Sequence, residues 1–562
     1  MNKIDILLSR VASNRQYQFW SFFVVLSFMS LAMVYLYMPF EPGHDSYFHF
    51  GRIESLMDAI RDGRLFIYPD YSVIEGYGYF TRAFYPDFIL VPFALIGNVT
   101  GVDFAYQFMV FTMTMLCGLF TYKMIVRIYD SPYAAAMGAL LFTFAMYRLL
   151  DIYHRGALAE ASSFTFIPLV FWGLYEVIKG DYRKWYVLTI GYSLLILTHA
   201  LSSVLMFITM LIILVVCYKS LKNEPKRLWY IVLAGLITIP IVAYFAFPMI
   251  EQMLSNTFYY DVNPLTSIEE NILGTYAVVW GMFSGIVYPE RGFTPGTGLL
   301  LTGAILLRLF VYEKSERIRS LDIGIVIGLV YIFASSFLFP WSVFPFNKLS
   351  IIQMPWRLYE FSSFFFAVAG GYYLSRVLNT NRRFLIGGVM VCVSILFVMI
   401  NDSKMYHDVR STVGIEREKS MSNNYHLIGM EYLPEKVPSL EYIASRGNVV
   451  KVGDEEISVF GLQKDADKMS FNISVEKPEK LEAPFIFYKG YKAKLNGEEV
   501  DVVESENGLV EVLADKSGTV EIYYAGTVVQ KISWFISLFG ILGLCIYIFV
   551  FNDRCKKDRR WQ

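Results

Sequence analysis

The stretch YQFWSFFVVLSFMSLAMVYLYM, residues 17–38, decides the fold class, because its 22 residues include no charged side chain. At about 1.5 Å per residue, a helix of that length crosses the roughly 30 Å hydrocarbon layer of a bilayer. The run is too long for a signal-peptide core, and no small-x-small cleavage site follows it, so we expect a retained first span. Hydrophobic residues form 55% of the chain and charged residues 18%, which is typical of a polytopic membrane protein.

Further apolar runs bring the expected total to about twelve membrane-spanning helices. They cover 104–126, 132–149, 160–178, 184–199, 200–218, 228–248, 296–312, 321–340, 358–377, 384–400 and 530–551. Basic residues precede the first span and recur in alternate loops, so the positive-inside rule predicts a multi-pass plasma-membrane protein with both termini in the cytoplasm. The stretch 86–96 is too short to cross and would invert every later loop, so we interpret it as interfacial or re-entrant.

This topology predicts a transmembrane domain over 1–400, an outer domain over 401–529, and a final span with a basic cytoplasmic tail over 530–562. The transmembrane domain carries two outer loops, 39–103 and 249–295. The five cysteines all fall in spans or cytoplasmic ends, so we expect no disulfide on the outer face and no CxxC metal pair.

Alternating apolar residues predict that the outer domain is a small β-sandwich. Strands are expected at 468–475, 485–495, 509–513 and 520–524, and Asn496-Gly497 is a tight-turn signal. The domain is either a passive cap or a glycan-binding module. Tyr488, Tyr491 and Tyr524 are its candidates for sugar stacking, unless they belong to its core.

The motif GHDSYFHFGR, residues 43–52, places an acid, two histidines and an arginine just past the first span. A carboxylate at a membrane surface suits general-base catalysis, because partial burial raises a carboxyl pKa toward the working pH. Asp45 is therefore the candidate base, and it is also placed to cap the helix that follows. His44 and His49 flank it, but no carboxylate cluster or His-x-x-x-His pair completes a metal site, so the sequence leaves a divalent cation open.

Basic side chains at the outer ends of the spans are the second signal. They are Arg52, Arg82, His154, Arg155, His199, Arg291 and Arg357. For any one of them, snorkelling to the interface is the alternative interpretation, but as a set they predict an anionic ligand, since the guanidinium fork suits phosphate.

Four of these basic residues have informative surroundings. The turn DIYHRGALAE, residues 151–160, concentrates His154 and Arg155 with two acids, one of which is Glu160. In QMPWRL, residues 353–358, Arg357 lies near the start of a span, where the helix dipole favours a phosphate. His199 interrupts an apolar stretch, so it is either a functional residue or a turn residue hydrogen-bonded through Thr198 and Ser202.

The first-loop motif, extended by Ile53-Glu54, Gly63 and Tyr68-Pro69-Asp70, resembles the first-loop signature of oligosaccharyltransferase catalytic subunits. The chain thereby resembles the GT-C superfamily of membrane glycosyltransferases, which use polyprenyl-phosphate-linked sugars. QMPWRL and residues 485–524 resemble the YfhO-like or 6-pyruvoyl-tetrahydropterin-synthase-related bacterial membrane proteins. The YfhO-like proteins are similar to enzymes that glycosylate lipoteichoic acid or other cell-surface polymers. The chain lacks a Trp-Trp-Asp-type acceptor motif, so transfer to asparagine is not expected.

This resemblance implies a transferase that moves a sugar from a polyprenyl-phosphate donor to a cell-envelope polymer, glycolipid or related acceptor on the outer face. It makes Asp45 the catalytic base and Arg357, His154, Arg155 and Arg52 the ligands of the donor phosphate. His44, His49, His199 and Glu160 are further site candidates. The alternatives are a flippase or transporter of lipid-linked glycans and a non-catalytic scaffold. Membrane lipids are expected partners, whereas nucleic acid is not.

Overall fold

A computed structural model of the chain describes residues 3–40, 45–263, 266–285, 287–288, 292–293, 295–413, 431–453 and 455–560. The chain divides into two compact units that interleave along the sequence. The first comprises Met1–His49, Asp103–Gly235 and Thr266–Arg417, and the second comprises Phe50–Val102, Leu236–Leu265 and Glu418–Gln562. Most of the predicted first outer loop, 39–103, groups with the C-terminal part of the chain, and the domain boundary at residue 400 stays a prediction.

Helices form most of the first unit, and the second combines helices with strands. The α-helices that lie in the first unit are Lys3–Ser13, Arg15–Leu36, Pro132–Thr143, Met146–Leu149, Leu158–Ser163, Ile167–Ile178, Tyr186–Ile196, Ala200–Val216, Tyr218–Asn223, Thr275–Phe283, Gly298–Leu306, Glu316–Ala334, Tyr359–Val377 and Asn381–Val413. Those of the second are Thr81–Phe84, Val91–Thr100, Tyr259–Val262, Leu440–Arg446 and Val528–Arg560. Three helices continue from one unit into the other: Ser46–Arg61, Val102–Tyr129 and Lys226–Ser255.

Among the described residues, seven helical stretches are long and apolar enough to cross a membrane, which is consistent with a membrane protein. They are Arg15–Leu36, Val102–Tyr129, Pro132–His154, Leu158–Ile178, Lys226–Ser255, Asn381–Asp408 and Val528–Phe551. The expectation of about twelve spans is met only in part. The predicted runs at 184–199 and 296–312 contain helices of 11 and 9 residues. The helix Glu316–Ala334 carries four charged residues in its first two turns.

The C-terminal part of the second unit is a β-sheet region, as predicted. Its strands are β3 Lys451–Val452, β4 Glu455–Glu456, β5 Phe460–Asp465, β6 Lys468–Ile473, β7 Glu479–Ile486, β8 Tyr491–Leu495, β9 Glu498–Val500, β10 Val502–Glu504, β11 Leu509–Ala514 and β12 Gly518–Tyr524; the pair β1 Val287–Tyr288 and β2 Gly292–Phe293 lies in the first unit. Strands β3 to β12 form two five-stranded antiparallel sheets, ordered β10-β11-β7-β3-β4 and β5-β6-β12-β8-β9.

The predicted turn at Asn496-Gly497 joins β8 to β9, and both of its residues have positive φ, 54° and 83°. The single strand predicted over 485–495 is instead the end of β7 and all of β8. The strand is interrupted between β7 and β8 near Gly490, where φ is 130° and a Cβ atom would come within 2.8 Å of the Tyr524 ring.

The three tyrosines proposed as sugar-stacking candidates belong to the core of the second unit. Tyr488, Tyr491 and Tyr524 are all buried. The Tyr491 hydroxyl lies 2.9 Å from the hydroxyl of Tyr71, and the Tyr488 hydroxyl donates to the Tyr432 carbonyl at 2.9 Å. Their stacking role is therefore wrong and the core interpretation is confirmed, because side chains this deeply buried offer no ring face to a sugar.

Candidate functional site

The turn between the candidate spans Pro132–His154 and Leu158–Ile178 has an irregular backbone. The last five residues of the first of these two spans, Leu150–His154, form a π-helical turn, and Gly156 in the connection has φ +69°. A π-turn inserts one extra residue into a helix, and such turns are frequent at functional sites. His154 and Arg155, although adjacent in sequence, contact different partners.

Arg155 lies at the centre of a buried charge cluster. Its Nη1 atom donates to Asp151 Oδ1 at 2.5 Å and to Glu160 Oε2 at 2.9 Å. Burial by itself lowers the pKa of Arg155, but the carboxylates of Glu160 and Asp151 outweigh it and hold that pKa well above its usual value. The structure thus brings three residues of the predicted 151–160 motif into one ionic contact.

Arg357 joins the same cluster from a distant part of the chain. Its Nε atom donates to Glu160 Oε2 at 3.2 Å, and Nη1 donates to the carbonyl of Ile352 at 3.0 Å. The neighbouring Trp356 ring stacks under the guanidinium of Arg155, 4.7 Å from its centre. Glu160 therefore bridges two arginines that the sequence predicted separately as phosphate ligands. The cluster therefore contains two carboxylates, Asp151 and Glu160, and two guanidinium groups, those of Arg155 and Arg357.

Asp45 is held beside this cluster through the backbone. Its N–H donates to the Arg155 carbonyl at 3.0 Å, and its own carbonyl accepts the N–H of His49 at 3.1 Å, in the first turn of the helix Ser46–Arg61. Among the described residues, no hydrogen bond to the Asp45 carboxylate is found, but its charge acts on Arg155. Asp45 thus occupies the helix-start position that the capping interpretation predicted, and its carboxylate stands within electrostatic range of a guanidinium.

Gly156 makes the approach of Asp45 sterically feasible. A Cβ atom on Gly156 would lie 2.5 Å from both the backbone nitrogen and the Cβ of Ser46. Its positive φ disfavours any other residue as well. The sequence motif contained this glycine, but nothing in the local sequence shows that the chain passes so close to it.

We expect Gly156→Ala to lower the free energy of unfolding by about 2–5 kcal/mol, since the left-handed conformation and the contact with Ser46 both penalise a methyl group. Gly63→Ala is the matched control, because Gly63 has φ +70° but a Cβ there would meet nothing within 4 Å. It should lose only about 1–2 kcal/mol. Thermal unfolding of both variants in detergent measures the difference. Equal losses would show that the close approach to Ser46 is unimportant.

His154 points to a different carboxylate, which sequence reasoning missed. Its Nε2 atom lies 3.0 Å from Asp402 Oδ1, and Asp402 also accepts a hydrogen bond from the hydroxyl of Tyr37. The Tyr37 ring in turn stacks on Tyr153, with ring centres 3.6 Å apart. Asp402 follows the run predicted as span 384–400, but the helix continues to Val413, so this acid lies within the helix rather than at the start of an outer domain.

His199 begins a second polar chain that ends on a buried acid. Its Nδ1 atom lies 2.8 Å from Ser202 Oγ, and that hydroxyl donates to Glu360 Oε2 at 2.8 Å. Ser163 hydrogen-bonds the other oxygen of Glu360, which is fully buried. His199 is also the N-cap of the helix Ala200–Val216, so the turn interpretation is confirmed for Ser202 but not for Thr198. Glu360 was not predicted, although an acid in an apolar run is a detectable signal.

Arg52 and Arg82 brace the fold of the first outer loop. Both guanidinium groups donate to Asp87, at 3.1 Å and 2.7 Å respectively. Arg52 also donates to the carbonyls of Tyr85 and Pro86, and Arg82 to those of Leu65 and Ile67. Both belong to the second unit, and the role of Arg52 as a phosphate ligand stays a prediction beside this structural one.

The remaining site candidates divide by whether the structure describes them. His44 and Arg291 lie outside the described residues. His49 is buried in the first turns of the helix Ser46–Arg61. Within the described ranges, no group of three His, Cys, Asp or Glu side chains is arranged to hold a metal ion.

Comparison with known proteins finds a relative that aligns along nearly the whole chain, and it indicates no activity. No protein-family model matches the sequence. The chain is 21% identical to an uncharacterized protein of Lactococcus lactis subsp. cremoris (strain MG1363), in an alignment of 590 positions, gaps included, that covers 95% of each chain. The alignment covers nearly all of both proteins, which are therefore of similar length.

Proposed function

We propose that this protein is a GT-C-like membrane glycosyltransferase with about twelve spans and cytoplasmic termini. It moves a sugar from a polyprenyl-phosphate-linked donor to a cell-envelope polymer, glycolipid or related acceptor on the outer face. The observation that carries the proposal is the backbone contact between Asp45 and Arg155, which joins a carboxylate to the cluster that contains Arg357. Transfer from a phosphate donor needs a base for the acceptor and cations for the departing phosphate, and both chemistries meet here.

In the proposed step, Asp45 takes the proton of the acceptor hydroxyl while that oxygen forms a bond to the anomeric carbon of the sugar. The bond between the anomeric carbon and the phosphate oxygen breaks, and its electron pair leaves with the polyprenyl phosphate. Arg357 and Arg155 stabilise the charge that develops on the phosphate, because charge-assisted bonds from guanidinium groups strengthen as that charge grows. The proton ends on the carboxylate of Asp45.

Arg357 is the better placed of the two arginines to meet a phosphate. Its side chain is 11% exposed, against 4% for Arg155, which is held by two carboxylates. A phosphate that approaches Arg357 competes with Glu160 for it, and Glu160 retains Arg155 and the hydroxyl of Tyr147 at 2.6 Å. The cluster can therefore release one guanidinium to the donor without leaving a buried carboxylate unpaired.

An apolar groove in the first unit supports a lipid-linked donor. Its volume is about 1070 Å³, and its wall along the helix Asn381–Val413 runs from Arg383 to Met405 and includes Asp402. At about 1.5 Å per residue, the wall from Arg383 to Asp402 measures roughly 30 Å, the thickness of the hydrocarbon layer. Asp402 contacts His154, so the polar end of the groove adjoins the turn that carries Arg155. A polyprenyl tail fits a groove of this composition and length.

A flippase or transporter of lipid-linked glycans is the second candidate. The hydrogen-bonded chain from His199 through Ser202 to Glu360 favours it, because buried ionisable groups among apolar helices often mark transport pathways. A non-catalytic scaffold with the same fold is the remaining alternative. Only the glycosyltransferase hypothesis requires the bond between sugar and phosphate to break, and only the flippase hypothesis requires the intact donor to cross the bilayer.

The test uses purified full-length protein in liposomes that contain fluorescent polyprenyl-phosphate-linked hexoses and lipid or envelope-polymer acceptors. A glycosyltransferase releases polyprenyl phosphate and adds the hexose to an acceptor. Movement of intact donor between the leaflets, without release, would replace the proposal by the flippase reading. If neither release nor movement occurs with any donor, the scaffold hypothesis remains.

A further inference from the structure

A polar cavity of about 930 Å³ belongs to the second unit, whereas the groove and the charge cluster belong to the first. One wall comes from the loop residues Asp62–Gly76, and the other comes from the ends of β5 and β6. Its volume falls within the range of about 300–1000 Å³ that small-molecule sites occupy. No residue predicted as a site from the sequence lines it.

The cavity wall is densely polar and nearly balanced in charge. Its acidic side chains are Asp62, Glu75, Asp465 and Asp467, and its basic ones are Arg64, Lys464 and Lys468. Arg64 lies against Asp62 and 3.9 Å from Asp465. Burial raises the pKa of Asp467, so this carboxyl holds its proton more firmly than an exposed one. A wall of this kind offers many hydrogen-bonding groups without a strong positive or negative electrostatic potential.

Lys464 gives the wall an unusual donor. Its amine lies between the rings of Tyr77 and Phe485, 5.0 and 4.9 Å from their centres, and donates to Asn448 Oδ1 at 2.5 Å and to the Pro484 carbonyl at 3.0 Å. Burial, with the nearby positive charge of Arg446, lowers the pKa of Lys464 to about 7. Near neutral pH a share of these amines is uncharged, and an uncharged amine both donates and accepts hydrogen bonds.

These features select a ligand rich in hydroxyl groups. Adjacent hydroxyls of a sugar donate to carboxylates and accept from amines, and an aromatic wall such as Tyr71 covers the apolar face of the ring. The near balance of charge disfavours a multivalent anion. A metal ion is disfavoured because the part of the chain that the structure describes contains no cluster of three ligating side chains.

We propose that this cavity binds a carbohydrate, with Lys464, Asp467 and Glu75 as hydrogen-bonding partners of its hydroxyls. The binding itself is independent of the transfer chemistry assigned to Asp45. Use of the cavity to hold the acceptor glycan rests on the proposed function. The two ideas can therefore fail separately.

The test measures binding of short neutral oligosaccharides of glucose, galactose and N-acetylglucosamine to the full-length protein in detergent, by saturation-transfer NMR. We expect a Kd of about 1 mM for at least one of them, a value typical of weak binding. Asp467→Asn and Lys464→Met should each weaken that binding about tenfold. Glu499→Gln is the control, because Glu499 lies on β9, is largely exposed and pairs with Lys492 rather than lining the cavity.

A second readout locates the bound sugar. Reductive methylation at neutral pH, followed by mass spectrometry, should modify Lys464 in the free protein and should slow at least threefold when the oligosaccharide is present. Lys477, whose side chain is 80% exposed, is the internal reference and should react equally in both samples. The Asp45→Asn variant should bind the sugar as the wild type does. No binding by any oligosaccharide, or binding that Asp467→Asn and Lys464→Met leave unchanged, would overturn the proposal.

Discussion

Replacing Arg155 with methionine is expected to lower the free energy of unfolding by about 3–5 kcal/mol, because removing one partner of a buried ion pair leaves its counter-charges unpaired. Asp151 loses its 2.5 Å contact with the guanidinium, and Glu160 retains Arg357 and the Tyr147 hydroxyl. Most of the loss should therefore come from Asp151. Thermal unfolding in detergent, followed by tryptophan fluorescence, measures the change.

Two further variants separate the cluster from a general effect of losing an arginine. Arg183 pairs with Asp181 at 2.9 Å, but its side chain is 56% exposed, so Arg183→Met should cost at most about 1 kcal/mol. Adding Asp151→Asn to Arg155→Met should recover part of the lost stability, since the unpaired charge is then gone. A variant without Arg155 that unfolds at the wild-type temperature would contradict the ionic role assigned to the cluster.

The second large effect concerns Asp45. We expect Asp45→Asn to reduce sugar transfer by about 100- to 10,000-fold, the contribution typical of a general base. Asparagine keeps the backbone N–H that donates to the Arg155 carbonyl, so the helix start should stay in place. Transfer rates at matched amounts of folded protein, with donor binding measured separately, test this expectation.

Asp130→Asn is the matched control for that experiment. Asp130 pairs with Arg15 at 2.7 Å, and both side chains are more than half exposed. Its φ of 54° suits asparagine as well as aspartate. Transfer by this variant should equal that of the wild type. Full activity in Asp45→Asn would remove Asp45 from the mechanism, whereas loss of donor binding together with transfer would make it a binding residue.

Local patterns in the sequence were enough to predict several parts of the fold. The uncharged run at 17–38 corresponds to the helix Arg15–Leu36, and alternation at 468–475 and 520–524 corresponds to β6 and β12. The turn at Asn496-Gly497 was also predictable, since its conformation depends on the two residues themselves. The number of spans was harder to predict, because a helix such as Tyr186–Ile196, with 11 residues, is too short to cross the bilayer by itself.

The charge cluster could be predicted only in its local part. Asp151, Arg155 and Glu160 lie within ten residues of each other, so the motif predicted their proximity. Glu160 and Arg357 are separated by 197 residues, and His154 and Asp402 by 248, so only tertiary packing brings them together. The carboxylate of Glu360 likewise accepts hydrogen bonds from Ser163 and Ser202, which are 197 and 158 residues away in the sequence. No alternation or periodicity in the sequence predicts such contacts.

The separation between Arg155 and Arg357 also orders events during synthesis. At about 5–20 residues per second, the roughly 200 residues between them take about 10–40 s to translate. During that interval Asp151 and Glu160 already flank Arg155, so the hairpin carries its own counter-charges as it enters the bilayer. With Arg148, which is buried in the same hairpin, these side chains carry no net charge, and Arg357 joins them later. The local part of the cluster is thus synthesised first, and Arg357 completes the cluster last.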